Sequence, residues 1–319
     1  MSTVDQATPQ VRERHVTITP SMCGPNALLF GTVGDWTWEA VGEACAMDAF
    51  RAVTHDGRPA YLAFHYYRIR AGLRIHPYAL TFGDRLTVQS RVYGLSNESV
   101  VTLHRLAPEN SRSFAPLAAA EFHDHPRQDC LYIENYNRWI SRSMANSNQA
   151  LVSSAPAGFR HTHLPALPAA YSPRKACGTA RRSATFHPAG VPGSSLTVPD
   201  FQTTYRVGVR DLNGVGLLYF AAYFGIFDSA LHRLWSTLGR SDQDFLARHL
   251  LDHRIGYFSN ADPGTVLRLT ARLWTARRAP YEETVDLAAR NEASGELVAV
   301  AAMTFLPPAG PSVRKEAHT

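Results

Sequence analysis

Hydrophobic and polar positions follow the same order twice along the chain. In each half, a short segment of alternating apolar residues, typical of a strand, precedes a glycine-containing turn and then a segment with apolar residues at helical spacing. The strand-like segments are 15–19 and 205–209, and the helical apolar face of the second half runs from Phe220 to Leu234. An order that recurs in this way predicts an internal repeat.

The repeat is also visible in two ungapped alignments between the halves. In the first alignment Gly24 falls on Gly214 and Phe30 falls on Phe220, and the second alignment ends in an aromatic residue in both halves. Two matches in the same order favour a duplicated unit over chance similarity. The aligned segments are 21–30 with 211–220, and 83–93 with 264–274.

Segments with the apolar pattern of strands follow each predicted helix, and we expect them to form antiparallel hairpins. Asp35 is expected to cap the first helix, and a capping-box-like sequence at Ser241 predicts an extra helix through Leu251 in the second half. The predicted strands are 60–69, 85–93, 100–106 and 131–141 in the first half, and 266–274, 282–288 and 297–305 in the second.

The length of 319 residues suits two domains of about 150 residues, and we expect an N-terminal unit, 1–159, and a C-terminal unit, 200–319. The connection between them, 160–199, is rich in proline, glycine and serine and contains no acidic residue. A connection of this length is either a solvated crossover or a functional segment, here one whose cations bind phosphates, and both interpretations stay open. The clustered cations are Arg174, Lys175, Arg181 and Arg182.

The composition is typical of a folded protein, with 45% hydrophobic and 18% charged residues. Because no stretch approaches 18 consecutive apolar residues and no charged leader precedes an apolar segment, we expect a soluble, cytoplasmic protein without a membrane partner. The net charge of +5 is modest, and no basic helix is interleaved with aromatic residues. These features disfavour nucleic acid and favour an anionic small molecule or an acidic protein as the partner.

Cysteines and histidines give no strong indication of a disulfide or a metal site. The four cysteines are scattered without a Cys-x-x-Cys pair. The pairs His123 with His125 and His161 with His163 have no third ligand beside them, so no metal is predicted. Cys23 adjoins the first turn and is a weaker candidate nucleophile, because the sequence places no histidine and acid beside it.

The predicted order of strand, long helix and several antiparallel strands resembles the hot-dog fold, and two fused copies resemble a double hot-dog, an α+β fold. The segment 211–224 (DLNGVGLLYFAAYF) resembles the element of hot-dog thioesterases in which Asp-x-x-Gly precedes the helix. Over nearly its whole length the chain resembles the acyltransferase/decarboxylase family of the leinamycin polyketide pathway. The segments that carry this resemblance include 133–142, 164–168 and 171–174.

The resemblance implies an enzyme of polyketide biosynthesis that takes methylmalonyl-CoA, acylates itself on a tyrosine and decarboxylates the acyl group. It then passes propionyl to the phosphopantetheine thiol of an acyl carrier protein. The resemblance also implies a homodimer, whose interface closes the substrate tunnel, and no metal, biotin or flavin. The matching tyrosines of this chain lie in 60–68 (AYLAFHYYR).

Strand alternation separates these tyrosines. Tyr66 shares the more apolar face, which we expect to pack on the helix, while Tyr61, His65 and Tyr67 share the other face. Tyr61 is therefore the predicted nucleophile, and Tyr66 and Tyr67 remain alternatives. Deprotonation of a phenol near neutral pH requires a base or a cation, for which His65 and Arg68 are available; His65 is equally consistent with a structural role.

The turns before the two helices are the expected site of decarboxylation. Loss of carbon dioxide leaves an enolate, and free backbone N–H groups at a helix start would stabilise its oxygen, although glycines there are also explained by backbone freedom. Asn213 is a candidate side-chain donor, and Asp211 is either a general base in a thioesterase-like site or a cap of the turn. The other predicted turn residues are Gly24 and Asn26 in the first half and Gly214 and Gly216 in the second.

Two further hypotheses remain open. One is an acyl-CoA or acyl-carrier thioesterase of the same fold that uses Asp211 or Asn213 with water, and the other is a non-catalytic protein that binds acyl carriers. A thioesterase would release free acid, and a binding protein would turn over no thioester. In the preferred hypothesis, Arg68, Arg174 and Lys175 contribute to binding of the CoA substrate.

Overall fold

The N-terminal half of the chain forms a long helix and a set of antiparallel strands, as the apolar pattern predicted. The computed structural model describes residues 11–24, 28–111, 115–144, 148, 150–279 and 281–306. A two-residue turn joins two strands of this half at 97–98, as the hairpin pattern indicated. The elements are β1 (Arg12–Thr17), α1 (Leu29–Ala44), β2 (Tyr61–Ala71), β3 (Arg85–Ser96), β4 (Ser99–Pro108), α2 (Ala119–His123), β5 (Leu131–Arg142) and β6 (Leu151–Ser153).

The C-terminal half, which follows a helix in the connection, repeats the order of strand, long helix and antiparallel strands. None of the helices in the described part of the chain combines the length and apolarity needed to cross a membrane. The elements are α3 (Arg174–Ser183), β7 (Ser194–Arg206), α4 (Ala222–Thr237), α5 (Asp242–Leu246), β8 (His249–Tyr257), β9 (Val266–Ala276), β10 (Glu283–Asn291) and β11 (Leu297–Leu306).

The strands form one continuous antiparallel sheet in the order β1-β3-β4-β5-β2-β8-β11-β10-β9-β7, with β6 added beside β5. The two halves meet where β2 pairs with β8, from Tyr66 opposite Gly256 to Arg70 opposite Asp252. Each half therefore contributes one sheet and one long helix to a double hot-dog, which confirms the predicted α+β fold.

The long helices α1 and α4 share one hydrophobic core, because both bury their apolar faces against the sheet and against each other. The rings of Phe30 in α1 and Phe224 in α4 stack with centroids 4.6 Å apart. Gly34 in α1 allows a second close approach, since a Cβ there would lie only 2.2 Å from the ring of Phe220. This glycine is required by packing and not by backbone conformation.

Two helix predictions were wrong in their bounds. Helix α1 begins six residues before Asp35, so that residue lies inside the helix and does not cap it. The capping box at Ser241 is present, with its hydroxyl accepting from Asp244 N–H at 3.1 Å, but α5 ends at Leu246. The residues up to Leu251 instead enter β8, because their side chains alternate between the core and the opposite face of the sheet.

The connection 160–199 is more regular than its composition indicated. It contains all of α3, which packs on the face of the sheet away from α1 and α4, and the first residues of β7. Ala180 of α3 is buried against β10 and β11, while the four clustered cations of this segment are exposed. The basic residues are therefore presented to solvent by a helix docked on the sheet.

Candidate active site

A cavity of about 590 Å³ lies at the junction of the two units. It forms where β2 and β8 separate: β8 pairs with β2 only from Tyr66 to Arg70, and no other described strand pairs with 61–65 on that side. The wall contains residues of α1, β2, α3, the segment 213–220 and the end of β8. The cavity is thus built by both units, and neither encloses it alone.

A β-bulge at His65 changes which residues of β2 face the helices. The residues on either side of His65 pair with adjacent residues of β5, which leaves His65 as the extra one. As a result Tyr67 packs with Phe64 in the shared core, whereas Tyr66 packs on the opposite face, beside Phe186. The faces predicted for Tyr66 and Tyr67 were wrong, because one extra residue shifts the period of two.

Tyr61 and His65 both line the cavity, and both are half-buried. Burial, together with the nearby positive charges of Arg138 and Arg181, lowers the pKa of His65 to about 4. A histidine with this pKa is neutral near pH 7, so one ring nitrogen carries a free lone pair, and its imidazole is a weak base. Arg181, from the last turn of α3, is part of the same wall.

The other two candidate tyrosines lie outside the cavity wall. The Tyr67 hydroxyl is fully buried and donates to the carbonyl oxygen of Phe30 at 3.3 Å, and burial raises its pKa well above the usual value. Tyr66 is buried on the other face of the sheet, and burial raises its pKa as well. Of the three candidates, the structure therefore brings only Tyr61 to the cavity.

Asn213 and Gly214 line the cavity from the turn of the C-terminal unit. The Oδ1 atom of Asn213 accepts from the backbone N–H groups of Val215 and Leu217, at 3.2 and 3.0 Å. No described residue accepts a hydrogen bond from Asn213 Nδ2, which leaves that amide as a donor at the wall. Gly216 does not line the cavity; its φ of +77° lets the chain turn, a conformation that favours glycine.

The N-terminal unit holds this turn in place. Arg142 at the end of β5 donates from Nη2 to the carbonyl oxygen of Val215 at 2.6 Å, and Asn148 donates from Nδ2 to that of Gly216, also at 2.6 Å. Arg142 and Asn148 are in turn joined by a 2.9 Å hydrogen bond. Side chains of one unit therefore fix the backbone that the other unit presents to the cavity.

Asp211 caps its turn, which was one of the two interpretations of its role. Its carboxylate accepts from the backbone N–H of Gly208 at 2.7 Å and from the Tyr205 hydroxyl at 3.0 Å. The side chain is buried and does not line the cavity. A carboxylate held by these donors is poorly placed to activate water at the cavity wall.

In the corresponding turn of the N-terminal unit, none of the described residues lines this cavity. Gly24 has a φ of +78° and does not line it, and Asn26 lies outside the described residues. The thiol of Cys23 donates to the carbonyl oxygen of Thr19 at 3.3 Å. Among the residues that the structure describes, no group of three or more His, Cys, Asp or Glu side chains is arranged to hold a metal ion.

Three predicted CoA-binding cations also lie outside the wall. Arg68 makes a two-point ion pair with Asp252, at 2.9 and 2.6 Å, on the face of the sheet beneath α3. Arg174 and Lys175 are exposed in the first turn of α3. The cation that reaches the cavity is Arg181, seven residues or about two turns further along the same helix.

Asp35 and Tyr219 also line the cavity, and the sequence argument missed both roles. Burial raises the pKa of Asp35, as does the negative charge of Glu39 one turn along α1. Burial and the adjacent Asp35 raise the pKa of Tyr219 to about 12. Two glycines inside α1, Gly31 and Gly34, were the available signal, because glycine in a helix interior often marks a close approach by another segment.

The C-terminal unit has different residues at the equivalent positions of its helix. The repeat that aligns Phe30 with Phe220 places Gly225 at the position of Asp35 and Asp228 at that of Trp38, a cavity-wall residue. Buried Arg248 forms a 3.0 Å ion pair with Asp228, and its guanidinium lies 3.7 Å from the centroid of a phenylalanine ring of α5. Arg248 and α5 thus pack beside Asp228 in the C-terminal unit, whereas the equivalent residue of the N-terminal unit, Trp38, lines the cavity.

Comparison with solved structures supports the fold. A putative oleoyl thioesterase from Lactobacillus plantarum superposes with a TM-score of 0.60 at 11% identity, over 95% of this chain and 98% of that one. The 12:0-ACP thioesterase from Umbellularia californica gives 0.51 at 13% identity, over 93% and 94% of the two chains. An acyl-ACP thioesterase from Bacteroides thetaiotaomicron gives 0.50 at 12% identity, over 92% and 97%. At these identities the likeness concerns the fold alone.

Sequence comparison gives a narrower result. None of the curated proteins is significantly similar to the chain. The family model of the LnmK N-terminal Hot Dog Fold domain, however, matches residues 13–188, which is more than half of the 319 residues. That stretch contains β2 with Tyr61 and His65, the bulge and all of α3. The chain therefore belongs to the LnmK-like double hot-dog family, as the resemblance to the leinamycin enzymes predicted.

Proposed function

We propose that this protein is a bifunctional acyltransferase/decarboxylase of polyketide biosynthesis that acts on methylmalonyl-CoA. The observation that carries the proposal is that Tyr61 and His65 of one unit and Asn213 of the other line the same cavity. A nucleophile, a neutral base and a hydrogen-bond donor are the groups that acyl transfer followed by decarboxylation requires. The fold and the family support an enzyme acting on acyl thioesters, and the arrangement of residues favours this particular reaction.

In the first step the Tyr61 oxygen attacks the thioester carbonyl while His65, four residues along β2, takes the phenol proton through water in the cavity. The C–S bond then breaks, and His65 returns that proton to the CoA thiolate. A phenol, with an ordinary pKa of about 10, and a thiol, with about 8.5, form acyl derivatives of similar energy, so transfer in either direction is feasible. A second thiol, the phosphopantetheine of an acyl carrier protein, would later remove the acyl group by the reverse route.

In the second step the bound acyl group loses carbon dioxide and leaves an enolate. Asn213 Nδ2 is the proposed donor to the enolate oxygen, because no described residue uses that amide and the turn is held by Arg142 and Asn148. Apolar side chains of the wall, including Phe64 and Phe220, give the departing carboxylate little polar support. Both features favour decarboxylation over simple hydrolysis.

The substrate would enter from the side of α3. Arg181 reaches the cavity, and the same helix exposes further cations to solvent. Cations near a cavity mouth suit the phosphates of CoA and an acidic carrier protein. A homodimer and the absence of a metal or organic cofactor complete the proposal.

A thioesterase is the second candidate, and one observation favours it. Asp35 is a carboxylate on the cavity wall and a possible base for water, whereas Asp211, the base considered from the sequence, is occupied by its turn. Such an enzyme would release free acid and would not retain an acyl group. A protein that only binds carriers would do neither.

Intact-protein mass spectrometry after mixing with methylmalonyl-CoA tests the proposal. We expect a covalent adduct on the native chain that is missing from Tyr61→Phe and that moves to an added acyl carrier protein as propionyl. Tyr281→Phe, an exposed site away from the cavity, is the matched control and should label normally. Free acid without an adduct would support the thioesterase, and binding without turnover would support the carrier-binding protein.

A further inference from the structure

Asp35 and Tyr219 both line the cavity, close enough for the charge of Asp35 to act on the Tyr219 hydroxyl, and the proposed acyl transfer uses neither. Tyr219 precedes α4, and its hydroxyl lies against Gly31, 3.1 Å from the place that a Cβ of that residue would take. Gly31 and Asp35 are four residues apart in α1, so they lie on the same face of the helix. The absence of a side chain at Gly31 therefore lets the Tyr219 hydroxyl approach the helix face that carries Asp35.

The pKa of each residue is raised above its ordinary value. The pKa of Asp35 is raised by burial and by Glu39, although Glu39 is itself held by Arg14 in a 2.6 Å ion pair. The pKa of Tyr219 is raised to about 12 by burial and by Asp35, so its hydroxyl keeps its proton near pH 7. Groups with these properties are suited to give a proton to a basic carbon or oxygen atom.

The proposed reaction needs a second proton at this place. The proton that His65 takes from Tyr61 is used when the CoA thiolate leaves, so it is not free for the later step. Loss of carbon dioxide breaks a C–C bond and leaves its electron pair on the α-carbon as an enolate. To become propionyl, that carbon must then receive one proton.

We propose that Asp35 is the catalytic acid that protonates this α-carbon, with the Tyr219 hydroxyl positioning it. The inference rests on the proposed function. The O–H bond of the Asp35 carboxyl breaks, a C–H bond forms at the α-carbon, and the resulting carboxylate regains a proton from water. One proton is consumed for each carbon dioxide released, and no oxidant or metal is required. Delivery from a fixed wall group also predicts that the proton arrives on one face of the enolate.

The test is the decarboxylation of methylmalonyl-CoA in deuterium oxide, with the configuration of [2-²H]propionyl determined after transfer to a thiol acceptor. We expect one enantiomer from the native enzyme. In the Asp35→Asn variant, acylation of Tyr61 should proceed at a rate within about threefold of native. Propionyl should form about 10²-fold more slowly, and the [2-²H]propionyl product should be nearly racemic. Gly31→Ala, which crowds the Tyr219 hydroxyl, should also lower the stereospecificity of deuteration. Glu296→Gln, another carboxylate of the wall, is the matched control and should remain stereospecific.

A single enantiomer formed by Asp35→Asn at the native rate would overturn the assignment while leaving the acyltransferase/decarboxylase intact. Restored stereospecificity in Asp35→Glu would support it, because a merely structural role for the aspartate would not be rescued by a longer acid. A native enzyme that releases methylmalonate and forms no propionyl would overturn the proposed function and this inference with it.

Discussion

Tyr67 and Tyr257 donate matching hydrogen bonds, each 3.3 Å long, to the carbonyl oxygens of Phe30 and Phe220. In both pairs the donor follows the acceptor by 37 residues. The internal repeat aligns Phe30 with Phe220, so the two tyrosines occupy equivalent places in the two units. The sequence similarity between a few aligned residues thus corresponds to a repeated three-dimensional arrangement.

The units also differ at the equivalent helix positions 34 and 224. The ring of Phe30 stacks on Phe224, whereas Phe220 packs against Gly34, the residue that the repeat aligns with Phe224. Gly34 and Phe220 both line the cavity. The divergence between the two halves therefore falls on the candidate site, where one unit keeps a phenylalanine and the other has lost the side chain.

Removing either buried tyrosine hydroxyl should destabilise the protein to a similar extent. Tyr67→Phe and Tyr257→Phe each leave a buried carbonyl oxygen without one of its donors, which costs about 1–2 kcal/mol of the free energy of unfolding. Urea denaturation measures it, and Tyr281→Phe at an exposed position should change little. If Tyr67→Phe instead prevented acyl labelling at unchanged stability, Tyr67 would replace Tyr61 as the nucleophile.

Gly34 in α1 and Gly225 in α4 offer a contrasting pair of helix-interior glycines, one against a ring and one with open space around it. Gly34→Ala forces a Cβ to within 2.2 Å of the Phe220 ring, so we expect overpacking to cost about 1–3 kcal/mol and to disturb the cavity. Gly225→Ala meets no atom within 4 Å and should stabilise α4 by about 0.5–1 kcal/mol. Equal effects of the two substitutions in thermal or urea unfolding would contradict this account.

The apolar pattern predicted most strands and both long helices because their side chains alternate or recur with the period of the element. It misplaced Tyr66 and Tyr67, since a bulge adds one residue without altering composition. It extended the helix at Ser241 into β8, because the capping box is real but the helix lasts only one turn. A local start signal carries no information about where the element ends.

The candidate site was harder to predict than the fold, because it is assembled between units. Tyr61, His65 and Asn213 were identified from local arguments and do meet at one cavity. The sequence did not reveal the place of Asp35 in the cavity wall. Because the helix was expected to begin at this residue, Asp35 was interpreted as its cap. Arg68 was chosen for its nearness in sequence to Tyr61, but the strand directs it to the other face and to Asp252. Distances across a sheet depend on pairing, which one sequence does not reveal.

The pKa of His65 gives a prediction for the pH dependence of acyl labelling. Because burial, Arg138 and Arg181 lower it to about 4, the neutral imidazole persists down to that pH and is lost only below it. The labelling rate should therefore be nearly constant from pH 5 to 7 as far as this group is concerned, and should fall as pH drops through about 4. Stopped-flow release of CoA measures the profile.

Arg181→Gln tests the cause of this shift, because it removes one of the two cations that lower the pKa. The acid limb of the profile should then move to higher pH. An acid limb near 6.5 in the native enzyme, the ordinary value of histidine, would contradict a role for a desolvated His65. A labelling rate unchanged in His65→Gln would remove this residue from the mechanism altogether.

Glu134 provides a prediction for stability as a function of pH. Burial raises its pKa to about 7, outweighing the attraction of Arg68 and Arg254, while Asp252 adds repulsion. Below about pH 4 both the folded and unfolded states hold the proton. As pH rises towards 7, the Glu134 carboxyl ionises in the unfolded chain before it does so in the folded protein. This group therefore progressively lowers the free energy of unfolding. The neighbouring His123, 3.6 Å away, is mostly neutral there because its own pKa is lowered to about 4.

Glu134→Gln should remove this dependence. Relative to the native protein, the variant should gain about 2–3 kcal/mol in the free energy of unfolding between pH 5 and pH 8, since each pKa unit is worth about 1.4 kcal/mol. Urea titrations at the two pH values measure the difference. A gain of the same size at both would mean that the pKa of this carboxyl is not raised by folding.

Asn213→Asp separates the two functions of this residue. The side-chain oxygen that accepts from Val215 and Leu217 is retained, so the turn should keep its shape, but the Nδ2 donor is lost. We expect acyl labelling of Tyr61 to continue while decarboxylation slows by about 10²–10³-fold, the usual effect of removing one donor to a developing oxyanion. Mass spectrometry would then show a methylmalonyl adduct that persists on the chain, where the native enzyme shows propionyl.

Arg142→Lys, which weakens the hold on the Val215 carbonyl without removing the Asn213 donor, should also slow decarboxylation, but by a smaller factor. If Asn213→Asp formed propionyl at the native rate, the enolate oxygen would lie elsewhere in the cavity, and the turn would serve only to shape its wall.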